Sequence, residues 1–383
     1  MKKSIKLKFI DKLDSNLKLN NGLLQVIIGP RQVGKTTTTL EYLEHEHANR
    51  FHYVSGDSVF NASKDWLIEQ WHLAFQEQKL LVIDEIQKCE NWSEVIKALW
   101  DQFKREKKPL NCVLLGSSSL QIQKGLTESL TGRFQLIPVF HWNSEESNRG
   151  YHLTFEEYLR YGGYPGSYPF IKSGDWAQFV KQSIISTVIE KDILQFQNVK
   201  SPALFKQAFE ILISYPAQEI SYTKLLGQIQ DKGNTDLIKY YISLYEGAFL
   251  IKALAKFSEN TIKVKSSSPK ILPLAPCFYQ LSILDEYDST ERGRAFELVV
   301  GAQLLRTAED LYYWREGDFE VDFVLKVGKK IFAIEVKSGR KGKLAGLAKF
   351  KEKYSRAYQV VITPENYREF ESDPMGYLKA TSQ

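Results

Sequence analysis

Eight consecutive residues near the beginning of the chain, Gly29–Thr36, have the types and spacing that bind phosphate groups. They read GPRQVGKT and fit the pattern G-x-x-x-x-G-K-[ST]. Glycines permit a tight turn in which backbone N–H groups point at an anion. Lys35 would reach the β- and γ-phosphates of ATP, and the Thr36 hydroxyl would hold Mg²⁺. The predicted nucleotide-contacting residues are Gly29, Pro30, Arg31, Gln32, Val33, Gly34, Lys35, Thr36 and Thr37.

Two acids, Asp84 and Glu85, follow the apolar run LLVI and form a second candidate element of this site. In this Walker B pattern a buried strand delivers Asp84 to the Mg²⁺ shell, so Thr36 and Asp84 are the predicted metal-binding pair. Glu85 would polarise a water for attack on the γ-phosphate, as a general base. The alternative is a strand that simply ends in acidic residues.

Two further polar elements are candidates for the same site. The strand CVLL ends in a run of serines, and either Ser117 or Ser118 is placed to bond the γ-phosphate or the attacking water. The alternative for each serine is a turn or a helix N-cap. Arg133 precedes another strand and is a candidate arginine finger for a neighbouring subunit's phosphate, or else a structural or surface arginine.

A second chemical constellation lies near the end of the chain. Glu297 falls in a predicted helix, and Asp322, Glu335 and Lys337 fall on two predicted strands. Side chains alternate along a strand, so Glu335 and Lys337 share one face, and a hairpin lets Asp322 meet Glu335. Asp322 and Glu335 are the predicted metal ligands, and Lys337 would orient a water for phosphodiester cleavage. The alternatives are a fold that is retained without cleavage, or a chance motif.

The elements that must position these groups can be read from the same sequence. Leu24–Ile28 is an apolar run that suits a buried strand, and the segment after Lys35 lacks Gly and Pro and suits a helix. Strand and helix patterns then alternate up to residue 139, which predicts a parallel sheet. A small helical region follows. Three helices within 202–245 and a hairpin of 249–256 with 262–265 then describe a winged helix-turn-helix, or a packing module. Lysines that could meet phosphates on its wing side are Lys263, Lys265 and Lys270.

Composition limits the function classes. The 383 residues carry a net charge of +5, but residues 326–356 hold eleven basic residues against two glutamates, a net charge of +9. This segment favours a polyanion such as DNA as partner, although a solvated lysine-rich face would look the same. Three scattered cysteines argue against zinc and disulfides and fit the cytoplasm. No apolar run is long enough to span a membrane, so no membrane association is expected.

Residues 21–140 resemble an AAA+ ATPase core, in particular the prokaryotic AAA+ ATPases that carry a C-terminal domain of unknown function, DUF4143. The resemblance rests on GPRQVGKTT, LLVIDEIQK, LLGSSSL and SLTGR, and further along on FEEY and YGGYP. It implies the AAA+ strand order, a sensor at Ser117 or Ser118, a finger at Arg133 and a homo-oligomer.

The C-terminal constellation resembles the PD-(D/E)XK nuclease core. Asp322 matches the D, and Glu335-Val-Lys337 matches E-x-K. Glu297 matches the helix carboxylate of the Holliday-junction-resolvase branch. The resemblance implies a restriction-endonuclease-like α/β domain.

The expected fold is therefore α/β. An AAA+ P-loop parallel sheet (residues 1–145) precedes a helical lid (146–198), a winged-helix module (199–270) and the nuclease-like domain (271–383). The first hypothesis is a Mg²⁺-dependent AAA+ ATPase that acts on DNA. The second is an ATP-gated interaction switch with an inactive nuclease fold. A small-molecule kinase is disfavoured by the chain length and by the acid pair Asp84-Glu85 with a serine strand tip.

Overall fold

The computed structural model describes residues 5–58, 62–117, 119–229, 234–258, 267–283, 285–308, 310–339 and 344–381. The chain forms two compact units. The first comprises Met1–His141 with Lys181–Asn198, and the second comprises Trp142–Val180 with Val199–Gln383. The segment 146–198, expected to be one lid, is thus divided between the two units, and the four-part division remains a prediction.

A parallel sheet with strand order β2-β3-β4-β1-β5 forms the centre of the first unit. The strands β1, β3 and β4 are buried along their whole length, as expected of apolar runs covered by helices on both faces. The strands are β1 (Leu24–Ile28), β2 (Phe51–Ser55), β3 (Leu80–Asp84), β4 (Cys112–Leu115) and β5 (Phe134–Pro138). The predicted AAA+ strand order is confirmed.

Helices connect these strands in the order that the sequence patterns indicate. Helix Trp92–Arg105, for example, buries the apolar residues Ile96, Leu99 and Phe103, which recur at helical spacing. The α-helices of this unit are Phe9–Leu19, Lys35–Glu46, Lys64–Gln76, Trp92–Arg105 and Ser119–Ser129. A short 3₁₀ turn spans Ile86–Lys88, and a π-helical segment comprises Val180–Ile185 and Val188–Leu194.

A mixed sheet with strand order β12-β11-β10-β9-β7-β8-β6 organises the second unit. The pairs β11–β12 and β7–β9 are parallel, and the other pairs are antiparallel. The strands are β6 (Gln218–Glu219), β7 (Ile251–Lys256), β8 (Lys270–Pro273), β9 (Leu311–Glu316), β10 (Phe319–Val327), β11 (Lys330–Val336) and β12 (Tyr358–Ile362).

The α-helices of the second unit lie before, between and after these strands. They are Ser144–Tyr151, Phe155–Tyr161, Trp176–Phe179, Pro202–Ile213, Tyr222–Gln228, Thr235–Gly247, Pro276–Ile283, Ser289–Leu305, Ala345–Lys353, Pro364–Ser372 and Pro374–Ala380. The sequence pattern predicts that 176–196 is helical, and the chain is helical as far as Leu194, although after Phe179 most of its turns are wider than those of an α-helix.

Three helices and a strand pair follow one another at residues 202–273, in the order expected of a winged helix-turn-helix. The partner of β7 differs from the prediction, because β7 pairs with β8 in the register Ala253 opposite Ile271. The predicted partner strand, 262–265, lies outside the described residues. β7 also pairs with β9, so this strand pair belongs to the larger sheet.

Helix Ser289–Leu305 covers the sheet and carries Glu297. A capping box between Asp288 and Glu291 fixes its first turn. Farther along, a side chain at Gly301 would begin 2.7 Å from the Phe323 ring, so glycine lets the helix lie close against β10. Phe296 and the neighbouring apolar residues are fully buried here. The packing therefore fixes Glu297 over the strands that carry the other acids.

In the described part of the chain, no helix combines the length and apolar character needed to cross a membrane.

Candidate functional site

The phosphate loop runs from the end of β1 into helix Lys35–Glu46, and two glycines permit its path. A Cβ at Gly29 would lie 2.3 Å from the Val139 carbonyl oxygen. Gly34 has φ of +88°, in the left-handed region that side chains disfavour. The helix begins directly after Gly34, so its N-terminal N–H groups and dipole face the loop. The loop therefore forms an anion-binding cradle.

Lys35 is buried inside this loop. Its ammonium donates hydrogen bonds to the carbonyl oxygens of Gly29 at 3.0 Å and Pro30 at 2.6 Å. Burial lowers the pKa of Lys35 to about 8, because desolvation disfavours the charged form. A phosphate would offer this cation a counter-charge that the loop carbonyls do not supply.

Thr36 and Asp84 are in direct contact, as their predicted roles require. The Thr36 hydroxyl donates to Asp84 Oδ2 at 2.8 Å, and the Tyr53 hydroxyl donates to the same oxygen at 3.2 Å. Mg²⁺ prefers oxygen ligands and keeps several waters, so one hydroxyl and one carboxylate beside bound phosphates suffice to hold it. The residues present therefore fit a Mg²⁺ ion at this position.

Glu85 lies next to Asp84 and points at the end of β4. Its backbone is left-handed, with φ of 48°, and its Oε2 accepts a hydrogen bond from the Ser117 hydroxyl at 2.8 Å. Gln87 Nε2 donates to the same oxygen. The structure thus brings Ser117 to the proposed general base, while the alternative, Ser118, lies outside the described residues. Sequence reasoning missed Gln87, although its place two residues after Glu85 was a usable signal.

The π-helical segment contacts the phosphate loop, a link that the sequence analysis did not foresee. Arg31 donates two hydrogen bonds to Asp192, each 2.5 Å long. Gln32 Nε2 donates to the Ser183 carbonyl at 3.1 Å. Burial raises the pKa of Asp192, and Arg31 opposes that shift. No sequence motif marks this contact.

Arg133 lies where the strands of the sheet begin, whereas the phosphate loop lies where they end. The Leu24 N–H, at the start of β1, donates to the Arg133 carbonyl, whereas the loop follows the end of β1. A strand of this length spans roughly 16 Å, so the guanidinium cannot reach the loop of its own subunit. It instead forms a bidentate ion pair with Asp101 at 2.9 and 3.0 Å.

In the second unit, the hairpin of β10 and β11 brings Asp322 and Glu335 together. Phe323 lies opposite Ile334 in this pair, which places the two acids side by side. Asp322 Oδ2 accepts from the Val336 N–H at 2.8 Å, and Lys337 Nζ lies 2.6 Å from Glu335 Oε1. The predicted contact between these strands is present.

Glu297 joins this cluster through a residue whose predicted role was wrong. Lys270 was expected on an exposed wing, but it begins the buried strand β8 and is 1% exposed. Its ammonium lies 2.6 Å from Glu297 Oε1 and 3.3 Å from Glu320 Oε1. Asp322 Oδ1 is 3.7 Å away. Lys263 and Lys265 lie outside the described residues.

Burial and charge change the titration of this carboxylate–lysine cluster, which we define as Lys270, Glu297, Glu320, Asp322, Glu335 and Lys337. Burial, with the neighbouring Asp322, raises the pKa of Glu297 to about 8 and that of Glu335 to about 7. Burial alone would lower the pKa of Lys270, but the surrounding carboxylates outweigh burial and raise it. Lys270 is therefore charged at neutral pH.

These residues do not fit a divalent metal ion as arranged here. Among the described residues, no group of three or more His, Cys, Asp or Glu has metal-binding spacing. Two buried carboxylate oxygens, Glu335 Oε2 and Glu297 Oε1, lack a hydrogen-bond partner, but Glu297 Oε1 already lies 2.6 Å from the Lys270 ammonium. Asp322 Oδ2 and Glu335 Oε1 are already engaged by Val336 and Lys337.

Family models match three successive segments of the chain. An AAA domain matches residues 21–148, a domain of unknown function (DUF8612) matches 152–274, and the domain of unknown function DUF4143 matches 292–378. The first and the last are the two domains expected from the sequence motifs.

Individual proteins with similar sequence or structure were also found. An uncharacterized protein of Methanocaldococcus jannaschii is 25% identical over 339 residues, which are 82% of this chain and 74% of that protein. An uncharacterized protein of Haemophilus influenzae is 22% identical over 340 residues, 82% of each chain. The structure of a Walker-type ATPase of Pyrococcus abyssi aligns with a TM-score of 0.49 at 13% identity, over 73% of this chain and 96% of that chain.

Proposed function

We propose that this chain, in which residues 21–148 match an AAA domain and residues 292–378 match DUF4143, binds ATP with Mg²⁺ and hydrolyses it. The observation that carries this proposal is the 2.8 Å hydrogen bond from Thr36 to Asp84, directly beside Glu85. It joins the two motifs that a P-loop ATPase needs at one point of the sheet.

Each side chain has a defined part in the proposed reaction. The loop N–H groups and Lys35 bind the phosphates, and Lys35 exchanges its bonds to the Gly29 and Pro30 carbonyls for phosphate oxygens. Mg²⁺, when bound, neutralises charge that develops on the phosphates. Glu85 accepts a proton from the attacking water, while Ser117 holds its carboxylate in position.

Phosphate release from ATP by the pure protein tests this proposal. Lys35→Ala is expected to abolish turnover while leaving the fold intact, as checked by circular dichroism. Lys12→Ala, a lysine of the same unit whose Nζ bonds the Leu136 carbonyl outside the loop, is the matched control and should keep turnover. Normal hydrolysis by a folded Lys35→Ala protein would exclude the ATPase assignment.

We further propose that the second unit acts on DNA. Lys326, Lys329 and Lys330 are exposed around the β10–β11 turn, within the segment of net charge +9. Helices 202–247 with β7 and β8 follow the order of a winged helix-turn-helix. Helix Thr235–Gly247 carries little net charge, because its exposed Lys239 pairs with Asp236 at 3.0 Å. The proposed contact is therefore to the phosphate backbone rather than to bases.

Fluorescence anisotropy with duplex, branched and single-stranded DNA tests this role at several salt concentrations. Lys326→Glu/Lys329→Glu is expected to weaken binding and to reduce its salt dependence. Lys172→Glu/Lys200→Glu changes the same number of exposed lysines elsewhere in the second unit and serves as control. If no DNA binds and particle size instead follows the bound nucleotide, the ATP-gated switch becomes the better assignment.

Assembly and location complete the proposal. Since Arg133 cannot reach its own loop, an arginine-finger role requires a neighbouring copy, so we propose a homo-oligomer. Size-exclusion chromatography with light scattering, with and without ATP, measures the oligomeric state; a monomer under all conditions would exclude the finger.

The three cysteines, Cys89, Cys112 and Cys277, are free and buried, which supports a cytoplasmic location.

A further inference from the structure

Lys270 lies where acidic groups from two elements of the second unit converge. Glu297 comes from helix Ser289–Leu305, and Glu320 and Asp322 come from β10. The Lys270 ammonium is 2.6, 3.3 and 3.7 Å from their carboxylate oxygens, and it also donates to the Asp322 carbonyl at 3.3 Å. A cation at this point offsets the repulsion between these close-lying carboxylates in their ionised forms.

A metal ion held by Glu297 and Asp322 would have to lie where this ammonium lies. At the predicted pair, the Val336 N–H and the Lys337 ammonium already engage Asp322 Oδ2 and Glu335 Oε1. Oxygen ligands hold a divalent ion at about 2.0–2.6 Å, so the ion must sit among the same oxygens that Lys270 contacts. An ammonium and a metal ion cannot occupy one such space. Lys270 is 1% exposed and anchored in the strand pair β7–β8, so it cannot swing away to solvent.

We propose that Lys270 is the built-in cation of the carboxylate–lysine cluster, and that the chain binds no divalent metal ion there. The proposal rests on the nuclease-like interpretation of this region. It makes the region a fold that is retained without metal-dependent cleavage. DNA held by the second unit would then be bound or moved, but not cut by this cluster.

Binding of Mn²⁺ to the full-length protein without nucleotide tests the proposal, with free Mn²⁺ measured by electron paramagnetic resonance. The wild type and Asp322→Asn are expected to bind equal amounts. Lys270→Met removes the ammonium but keeps the apolar stem, and is expected to gain one site per chain. Lys270→Met/Asp322→Asn should lose that site again. Thr36 and Asp84 are the same in all four proteins, so any binding at the phosphate loop cancels.

Two results would overturn the proposal. One is a wild type that loses a bound Mn²⁺ on Asp322→Asn or Glu335→Gln. The other is a folded Lys270→Met protein that gains no site. If Lys270→Met fails to fold, the comparison of the wild type with Asp322→Asn and Glu335→Gln still decides. The measurement uses neither ATP nor DNA, so its outcome does not depend on whether the chain hydrolyses ATP or binds DNA.

Discussion

Arg31 in the phosphate loop and Asp192 in the π-helical segment, 161 residues apart in sequence, form a bidentate ion pair. Asp192 is 6% exposed on its side chain, so this is a largely buried carboxylate. It also lies close enough to Lys35 to influence its pKa. The loop is therefore held in place by a group that carries the same sign of charge as the phosphates it binds.

Replacing Asp192 should separate its stabilising ion pair with Arg31 from its repulsion of the bound phosphates. Asp192→Asn leaves Arg31 without its counter-charge, so the free energy of unfolding is expected to fall by about 3 kcal/mol. ATP affinity should rise roughly three- to tenfold, because a repelling charge is lost. Chemical denaturation and nucleotide titration measure both, with the exposed Asp65→Asn as matched control. Weaker ATP binding would contradict the electrostatic part.

ATP binding should depend on pH through Lys35. Its pKa of about 8 in the empty loop means that Lys35 is largely neutral above that pH, whereas binding to phosphate needs the charged form. The affinity is therefore expected to fall about tenfold between pH 7.5 and 9. Lys35→Arg, which stays charged, should show no such fall. A wild-type affinity that does not change over this range would refute the expectation.

The lowered pKa of Lys35 also predicts how the free energy of unfolding changes with pH. The pKa of Lys35 is lowered on folding, so between about pH 8 and 10.5 the unfolded chain binds more protons than the folded one. The free energy of unfolding of the empty protein should therefore rise with pH in this window, relative to Lys35→Arg. Urea titrations at pH 7.5 and 10 measure the difference.

The hydrogen bonds around Glu85 predict a graded loss of turnover. Glu85→Gln should reduce kcat by about 10²- to 10⁴-fold with little change in ATP affinity, because it removes the general base. Gln87→Ala and Ser117→Ala should have smaller effects, since they remove only positioning contacts to Glu85 Oε2. Full turnover by Glu85→Gln would assign the base elsewhere.

The ion pair of Arg133 with Asp101 allows a finger to be distinguished from a structural arginine. Arg133→Ala and Asp101→Ala break the same contact. If Arg133 acts on a neighbouring subunit, only Arg133→Ala should lower kcat, by on the order of 10³-fold. Mixing Arg133→Ala with Lys35→Ala protein should then restore part of the activity. Equal losses in both single variants would indicate a structural role.

Much of the nucleotide site could be predicted because its signals are local. The loop, the acids after β3 and the serine after β4 each lie at the end of a short apolar strand, and parallel strands bring such ends to one edge. The pairing of Asp322 with Glu335 was predictable for a related reason, since the hairpin turn sets the register.

The contacts that were missed join residues far apart in sequence. Asp192 reaches Arg31 from a segment whose helical pattern gave no sign of wide turns. Lys270 looked like one of several wing lysines, and only the pairing of β7 with β8 and of β7 with β9 shows that it is buried. In the sequence, the surroundings of Asp192 and of Lys270 look like those of ordinary exposed residues.

The pairing of β7 with β9 has a mechanical consequence. Because Ala255 lies opposite Tyr312, β7, which follows helices 202–247, is joined through β9 to β10 and β11, which carry Asp322 and Glu335. The strands from β6 to β12 thus form one continuous hydrogen-bonded sheet. Within the second unit, a displacement of β7 would therefore be passed through β9 to the strands that carry the acids.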